Sequence, residues 1–302
     1  MAVSLSVSTE RASLPIAWRL YLPEVWAKDG KRRKKTGVPS PIRFQTKPAI
    51  VLEQIRTALK REIPVGVVLA DGAYGTDTQF REELTDLGLL YAVGIMSSVT
   101  VWKPGQGPLP AATWKGQGRP TKYLRRNPRH APVSVKNLAL TLPPQAWKKI
   151  CWRAGTRHSL QSRFAAVRVR PAHRDFERDQ PYPEEWLLIQ WPSEEAEPTR
   201  YWLSTLPAET KLKDLVRRAK QRWIIERDYE ELKQELGLGH YEGRGWRGFH
   251  HHATLCIAAY GFLVAERSRF SPSARAGRLG LSIPEMPSQF RPRGSPGSPR
   301  AA

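Results

Sequence analysis

The sequence predicts an α/β protein: a mixed sheet with helices, interrupted by a long β-rich insertion. Three observations carry that expectation. Apolar residues alternate with small polar ones at the start, Val3, Leu5 and Val7 against Ser4, Ser6 and Ser8. A strand, helix, strand unit lies between residues 65 and 95, and that connection makes part of the sheet parallel. Residues 96–198 then change in texture, with many Pro and Gly, short β-type runs and no strong helical stripe.

Each element has a local reason. A second period-two run, Ile16, Trp18, Leu20 and Leu22, follows a turn over Arg11 to Ser13, so the chain opens in a hairpin. The run Lys31 to Lys35 (KRRKK), after Gly30, reads as an exposed basic loop, for DNA backbone contact or plain solvation. Thr46 caps a helix with Pro48 in its first turn and a stripe of Val51, Leu52, Ile55 and Leu59. Val65 to Ala70 is an apolar strand ending at Asp71. Phe80, Leu84 and Leu87 mark a helix closed by Gly88, and Leu89 to Ile95 is apolar again. In the following region Phe164 to Val169 and Trp186 to Trp191 are the β-type runs. Thr210 opens a helix with Leu212, Leu215, Val216 and Ala219 at helical spacing, expected to run to Gly237 and Gly239. A last helix follows Gly248 through Phe249, Ala253, Cys256, Tyr260 and Leu263. From Ser271 to Ala302, 16 of 32 residues are Pro, Gly or Ser, which predicts a disordered tail.

Charge narrows the class of partner. Lys and Arg number 49 against 28 Asp and Glu, a formal charge of +21. From Leu87 to Arg174 there is no acidic residue, while Lys and Arg occur 16 times. A solvated surface normally mixes both signs, so this stretch is expected to face nucleic acid or phosphate. Trp102, Trp114, Tyr123, Trp147 and Trp152 lie among those bases, available for stacking on bases or for filling the core. Residues 1–10 lack a basic n-region and an apolar h-region, and no run of 18 to 20 apolar residues is free of charge, so secretion and membrane spanning are not expected. Cys151 and Cys256 are far apart and outside any C-x-x-C, which leaves neither a disulfide framework nor a thiolate zinc site.

Two places carry candidate chemistry. Asp71 ends a parallel strand, where α/β sheets place ligand-binding groups, with Gly72 and Gly75 beside it. Taken alone, that Asp reads first as a helix cap or turn residue, with Thr76 and Asp77 close by. Arg222, Glu226, Glu230 and Lys233, at spacings of four, four and three, share one helix face with Tyr229 beside it. Alone, that face reads as a solvated ladder of i,i+4 pairs. Together with the strand-end Asp and the basic insertion, it reads as carboxylates for divalent metal beside cations for phosphate. Arg244 and Arg247, flanking Gly245 and Trp246, are further candidates for phosphate contact. His250, His251 and His252 are consecutive on a helix and point apart, so with His240 they are not expected to converge on one ion. Cys256 lies on an apolar stripe and is expected in the core.

RWIIERDYEELKQELG, Arg222 to Gly237, resembles the signature helix of the DDE transposases of bacterial insertion sequences: aromatic, two residues, Arg, three residues, Glu, six residues, Lys. Arg222, Glu226 and Lys233 match that spacing, and Ala219 stands where the family usually has Tyr. VVLADGAYG, Val67 to Gly75, resembles the family's second-Asp strand. LPIAWRLYLPEVWA, GLGHYEGRGWRGFHHH and LCIAAYGFL are similar to stretches of the 701 family of insertion sequences, and the likeness runs from Ala2 to about Arg269. The resemblance implies a ribonuclease H-like mixed sheet with a β-rich insertion between the second Asp and the Glu. It also implies a two-ion Mg2+ site held by Asp71 and Glu226 as the catalytic and metal-binding carboxylates. Arg222 and Lys233 would contact phosphate or position Glu226.

One departure stands against those matches. The family's first catalytic Asp lies on the first, central strand of the ribonuclease H fold, in a D-D-T-G-F-like stretch. Here the acids upstream of Asp71 are Glu10, Glu24, Asp29, Glu53 and Glu62, and none ends an apolar strand as that Asp should. Glu10 follows a strand, but one that matches a later strand of the family. The expectation is therefore an N-terminally truncated transposase lacking the first, central strand. Residues 1–95 would be the N-terminal part of the catalytic domain, 96–198 the basic β-rich insertion, 199–270 the C-terminal helical part and 271–302 the disordered tail. Its expected partners are DNA, as transposon ends and target, and itself or a full-length transposase. Its expected place is the bacterial cytoplasm, at the nucleoid. The truncated copy is expected to be inactive in strand cleavage and transfer. The alternatives are a non-catalytic DNA-binding or transposase-interacting protein, and a product that never folds.

Overall fold

The computed structural model describes residues 1–9, 12–119, 121–153 and 160–270. The tail from residue 271, Glu10 and the Arg11 corner of the first turn lie outside them.

Strands β1 (Ala2–Ser8) and β2 (Ser13–Leu20) form the antiparallel hairpin that the period-two alternation predicts. Two exposed helices follow, α1 (Glu24–Lys28) and α2 (Gly30–Thr36). The second corrects the loop expected at KRRKK. Asp29 accepts from Arg32 N at its start, Gly37 takes a left-handed φ of +64° at its end, and together these caps stabilise about two helical turns of the basic run. Arg33 points inward and donates to the Ala27, Pro39 and Ile42 carbonyls, so it holds the turn rather than facing a partner. Helix α3 (Lys47–Lys60) starts at Thr46, whose hydroxyl accepts from Ala49 N, and lays Ile50, Leu52 and Ile55 into the core.

Next come β3 (Val68–Ala70), α4 (Gly72–Gly75), α5 (Thr78–Asp86) and β4 (Tyr91–Ile95), with β3 and β4 parallel. The region beyond supplies β5 (Thr100–Trp102), β6 (Val133–Ser134), α6 (Val135–Leu140), β7 (Lys148–Arg153), β8 (Leu160–Pro171), β9 (Glu185–Trp191) and β10 (Arg200–Ser204). Helix α6 is short and was not foreseen; Ser134 caps it, and Val135, Leu138 and Ala139 bury against the main core. The strands join in the order β3-β4-β10-β9-β8-β5-β6, with β7 also on β8, and every pair but β3–β4 is antiparallel.

Period two then sorts side chains onto the two faces of this sheet. Leu187, Ile189 and Leu203 pack with α3 and α5, through Leu52, Ile55, Phe80 and Leu84. Leu188 and Trp202 point the other way, onto Leu215, Val216 and Ala219 of α7 (Leu212–Lys220). The result is a mixed, mostly antiparallel sheet between helical layers, consistent with a ribonuclease H-like fold. A third cluster joins the hairpin, through Leu14, to α8 (Trp223–Gln234) and α9 (Trp246–Arg269), with Leu232, Tyr260 and the expected core residue Cys256 at its centre.

The single helix expected from Thr210 to Gly237 is two. It breaks at Gln221 and Arg222, where Ile224 N and Ile225 N bond three residues back instead of four. Neither Gly nor Pro is present, so tertiary contacts hold the break. Gln221 donates to the Thr9 carbonyl, and Trp223 is stacked under Arg153, its ring centroid 3.6 Å from the guanidinium carbon. Among the described residues no helix is long and apolar enough to cross a membrane.

Candidate active site

The site begins where β3 stops. β3 is an edge strand beside parallel β4, and the chain leaving its C-terminal end turns at once into α4. Asp71 takes the capping role: its Oδ1 caps α4 by accepting from Ala73 N at 3.0 Å, and its Oδ2 pairs with Arg222. Of the two glycines here, Gly75 serves the turn itself. A Cβ on Gly75 would lie 2.1 Å from the Gly94 carbonyl oxygen, so only glycine lets α4 rest directly on β4.

The helix break supplies the second half. Because α7 stops at Lys220 and α8 starts afresh at Trp223, Arg222 sits at the mouth of α8 and reaches across to the strand. Its guanidinium donates to Asp71 at 3.3 Å and to Glu226, one turn on, at 3.2 Å. One arginine thus gathers two carboxylates 155 residues apart in the chain. They border a cavity of about 370 Å³ that also takes in Trp152, Arg153, Arg200, Lys220 and Trp223.

Lys220 was not picked out from the sequence. Its ammonium lies over the rings of Trp152 and Trp202, 4.6 and 5.4 Å from their centroids, and donates to Gln190 Oε1 at 2.5 Å. Burial, reinforced by Arg200, pushes it down to about 8. Burial likewise raises the Tyr74 hydroxyl, with the Asp71 carboxylate adding to the shift and Arg222 opposing it. The signal in the sequence was weak: a Lys next to an apolar stripe looks like any helix-boundary cation.

Lys233, two turns along α8 from Glu226, is exposed, and Arg244 and Arg247 are exposed at the approach to α9; none of the three borders this cavity. The histidines do not converge. His250 accepts from Leu20 N through Nε2, and His252 bonds the Gly237 carbonyl.

As a metal site the arrangement offers two carboxylates and a guanidinium lying between them. Among the described residues no group of three or more His, Cys, Asp or Glu is placed to hold an ion. Both carboxylates face the Arg222 guanidinium, and two such donors would leave a divalent ion mostly hydrated.

A family model described as DDE superfamily endonuclease matches residues 1–159, which includes Asp71 and ends before Arg222 and Glu226. No curated protein matches the chain.

Proposed function

The chain belongs to the DDE superfamily endonucleases, a family of metal-dependent nucleases acting on DNA, and on that premise we propose that it is the catalytic part of a DNA transposase of the 701 insertion-sequence family. The observation supporting this is Arg222 holding Asp71 and Glu226 together at the edge of a cationic, aromatic cavity. Asp71 and Glu226 would hold Mg2+, which when bound supplies an activated nucleophile and stabilises the leaving oxygen. Arg153, Arg200 and Lys220 would bind the phosphodiester, and Arg222 would hold Glu226 in place and hand both carboxylates to the metal. Lys233, Arg244 and Arg247 lie outside the cavity and are proposed to contact flanking backbone of a DNA end, at the nucleoid.

The third carboxylate is proposed to arrive on an extended segment. Among the described residues β1 pairs only with β2, and β3 only with β4, and their unpaired edges border one groove of about 330 Å³. Leu5, Val7, Ile55, Leu59, Val67 and Leu69 give it an apolar floor, while Arg222 stands at its margin. A strand entering there would satisfy both edges and, ending in Asp, would bring a carboxylate to Arg222. On this reading the described residues alone do not complete cleavage. The test is metal-dependent nicking of transposon-end duplex, by the chain and by the chain fused to a strand-forming segment ending in Asp. Cleavage is expected only with the segment, and is expected to vanish in Asp71→Ala and Glu226→Ala. Cleavage by the chain alone, lost in Asp71→Ala, would place the third ligand within this chain. Salt-sensitive DNA binding without cleavage in either form would favour a non-catalytic DNA-binding protein.

A further inference from the structure

We propose that α9 pairs with α9 of a second copy of this chain, antiparallel about a two-fold axis beside Ala258 and Ala259. The inference is independent of the reading of Asp71 and Glu226, and it uses a helix face that neither the cavity nor the groove includes.

α9 is apolar on two faces. One carries Ala253, Cys256 and Tyr260 and is buried, the last two in the cluster shared with the hairpin and α8. At about 100° per residue, the stripe on the opposite side runs through His251, Leu255, Ala258, Ala259, Phe262 and Glu266. Leu255 is 58% and Phe262 65% exposed, and Leu263 and Phe270 are open to solvent beside them. A surface helix ordinarily carries its charges on this side. Here no Asp, Glu, Lys or Arg occurs from Gly248 to Ala265, so the outer stripe has the composition of a face that is covered.

The spacing of the stripe identifies its cover. Its residues stand symmetrically about the Ala258–Ala259 pair: Leu255 and Phe262 lie three positions out on either side, His251 and Glu266 seven. A second α9 turned end for end therefore sets Phe262 against Leu255 twice over, and sets an imidazole opposite a carboxylate at each end. That is the self-complementary contact a two-fold axis requires. Ala258 and Ala259 at the crossing let the two helix axes approach to about 8 Å, the close limit of helix packing. A parallel pairing would stack Glu266, which also pairs with Arg269 of its own helix, on its own copy. DNA finds no cation along the stripe between Arg247 and Arg267, so the chemistry that draws a polyanion to other parts of this chain is missing here.

The test is sedimentation equilibrium on the full chain, nuclease-treated and in roughly 0.5 M salt so that bound nucleic acid does not bridge copies. One helix per copy is a small interface, so a monomer–dimer equilibrium in the range of about 1–100 μM is expected. Leu255→Glu and Phe262→Glu should each weaken it about tenfold or more, with the thermal midpoint unchanged because both side chains are exposed. Leu255→Ser and Phe262→Ser replace them should the added charge perturb folding. The register has its own readout: His251→Glu sets two carboxylates face to face and should weaken pairing about threefold, and adding Glu266→Lys should restore it. A chain that stays monomeric to about 100 μM would overturn the proposal, as would a dimer indifferent to Leu255 and Phe262 or a double variant that is not restored. Pairing that appears only after residues 271–302 are removed would make the tail the cover of this face, and would overturn it too.

Discussion

The two carboxylates of the site are held in opposite ways. Asp71 belongs to a backbone turn fixed by its own cap, by the Gly75–Gly94 contact and by Arg81. Glu226 stands on the surface of α8, its side chain 72% exposed against 42% for Asp71, and its bond is to Arg222 of the same helix mouth. Position is therefore dictated from the strand side, and adjustment is left to the helix side. A site assembled this way tolerates small shifts of α8 but not of the β3–α4 corner, because backbone packing cannot be relaxed by a rotamer change.

The largest effect follows from altering each carboxylate in the fused, cleaving form of the protein. Asp71→Ala and Glu226→Ala should each lower cleavage by about 100-fold or more, in the range seen when one preorganised electrostatic group is lost. The conservative swaps separate the two sides. Asp71→Glu should fall nearly as far as Asp71→Ala, since the fixed turn cannot retreat by a methylene, whereas Glu226→Asp should retain more. Equal losses, or the reverse order, would break the comparison.

A smaller effect probes the turn without touching its charge. Gly75→Ala drives a methyl into the Gly94 carbonyl and Val93, and should cost about 1–3 kcal/mol in urea unfolding, as overpacking does. Gly72→Ala meets only the Ile95 backbone at 3.7 Å, ordinary contact distance, and should leave the urea midpoint nearly unchanged. Equal tolerance at both positions would mean that the corner is not clamped on β4.

Much of this frame was legible in the sequence, for local reasons. Alternation at Val3 to Val7 and Ile16 to Leu20 needs only period two to be read as a hairpin, and Thr46 with Pro48 announces α3 through its cap. Asp71 was visible because a strand end and a glycine-flanked turn coincide in six residues. The helix break at Gln221 was not, since its causes are Thr9 and Arg153, more than two hundred and about seventy residues away in the chain. Arg81 was not singled out, because nothing in the α5 pattern shows that its guanidinium is buried against the α4 turn. The same holds for Lys220, whose aromatic surroundings are gathered from β7, β8 and β10.

Ionic strength sharpens the contrast on the DNA side, where the cations lie on β7, β10 and the α7–α8 junction and none on β3. If about six phosphates are neutralised, log affinity for duplex DNA should fall against log salt with a slope of about −5, roughly thirtyfold for each doubling of salt. Replacing Arg153 and Arg200 by Gln, read by fluorescence anisotropy, should flatten the slope by roughly 1 for each phosphate contact removed. A slope near zero in the unaltered protein would remove the phosphate-binding role from this wall.

The smallest effect belongs to Lys220, and its sign follows from burial. The ammonium is near 8 in the folded chain and at an ordinary 10.5 when free, so between those values the unfolded chain holds the extra proton. Below pH 8 both states are charged and the desolvation penalty is fully present; as pH rises from 8 to 10.5 that penalty is lifted, and stability rises relative to Lys220→Met, which has no such proton to lose. DNA acts in the opposite direction. A phosphate entering the cavity favours the charged ammonium, so binding takes up a proton above pH 8, and affinity should weaken there by at most about tenfold per pH unit. Lys220→Met should bind DNA a few-fold more weakly at pH 7 and lose that pH dependence between 8 and 9.5. If the variant keeps the same pH profile as the unaltered protein, Lys220 serves the aromatic core and not the phosphate, and the adaptable side of the site shrinks to Arg222 and Glu226.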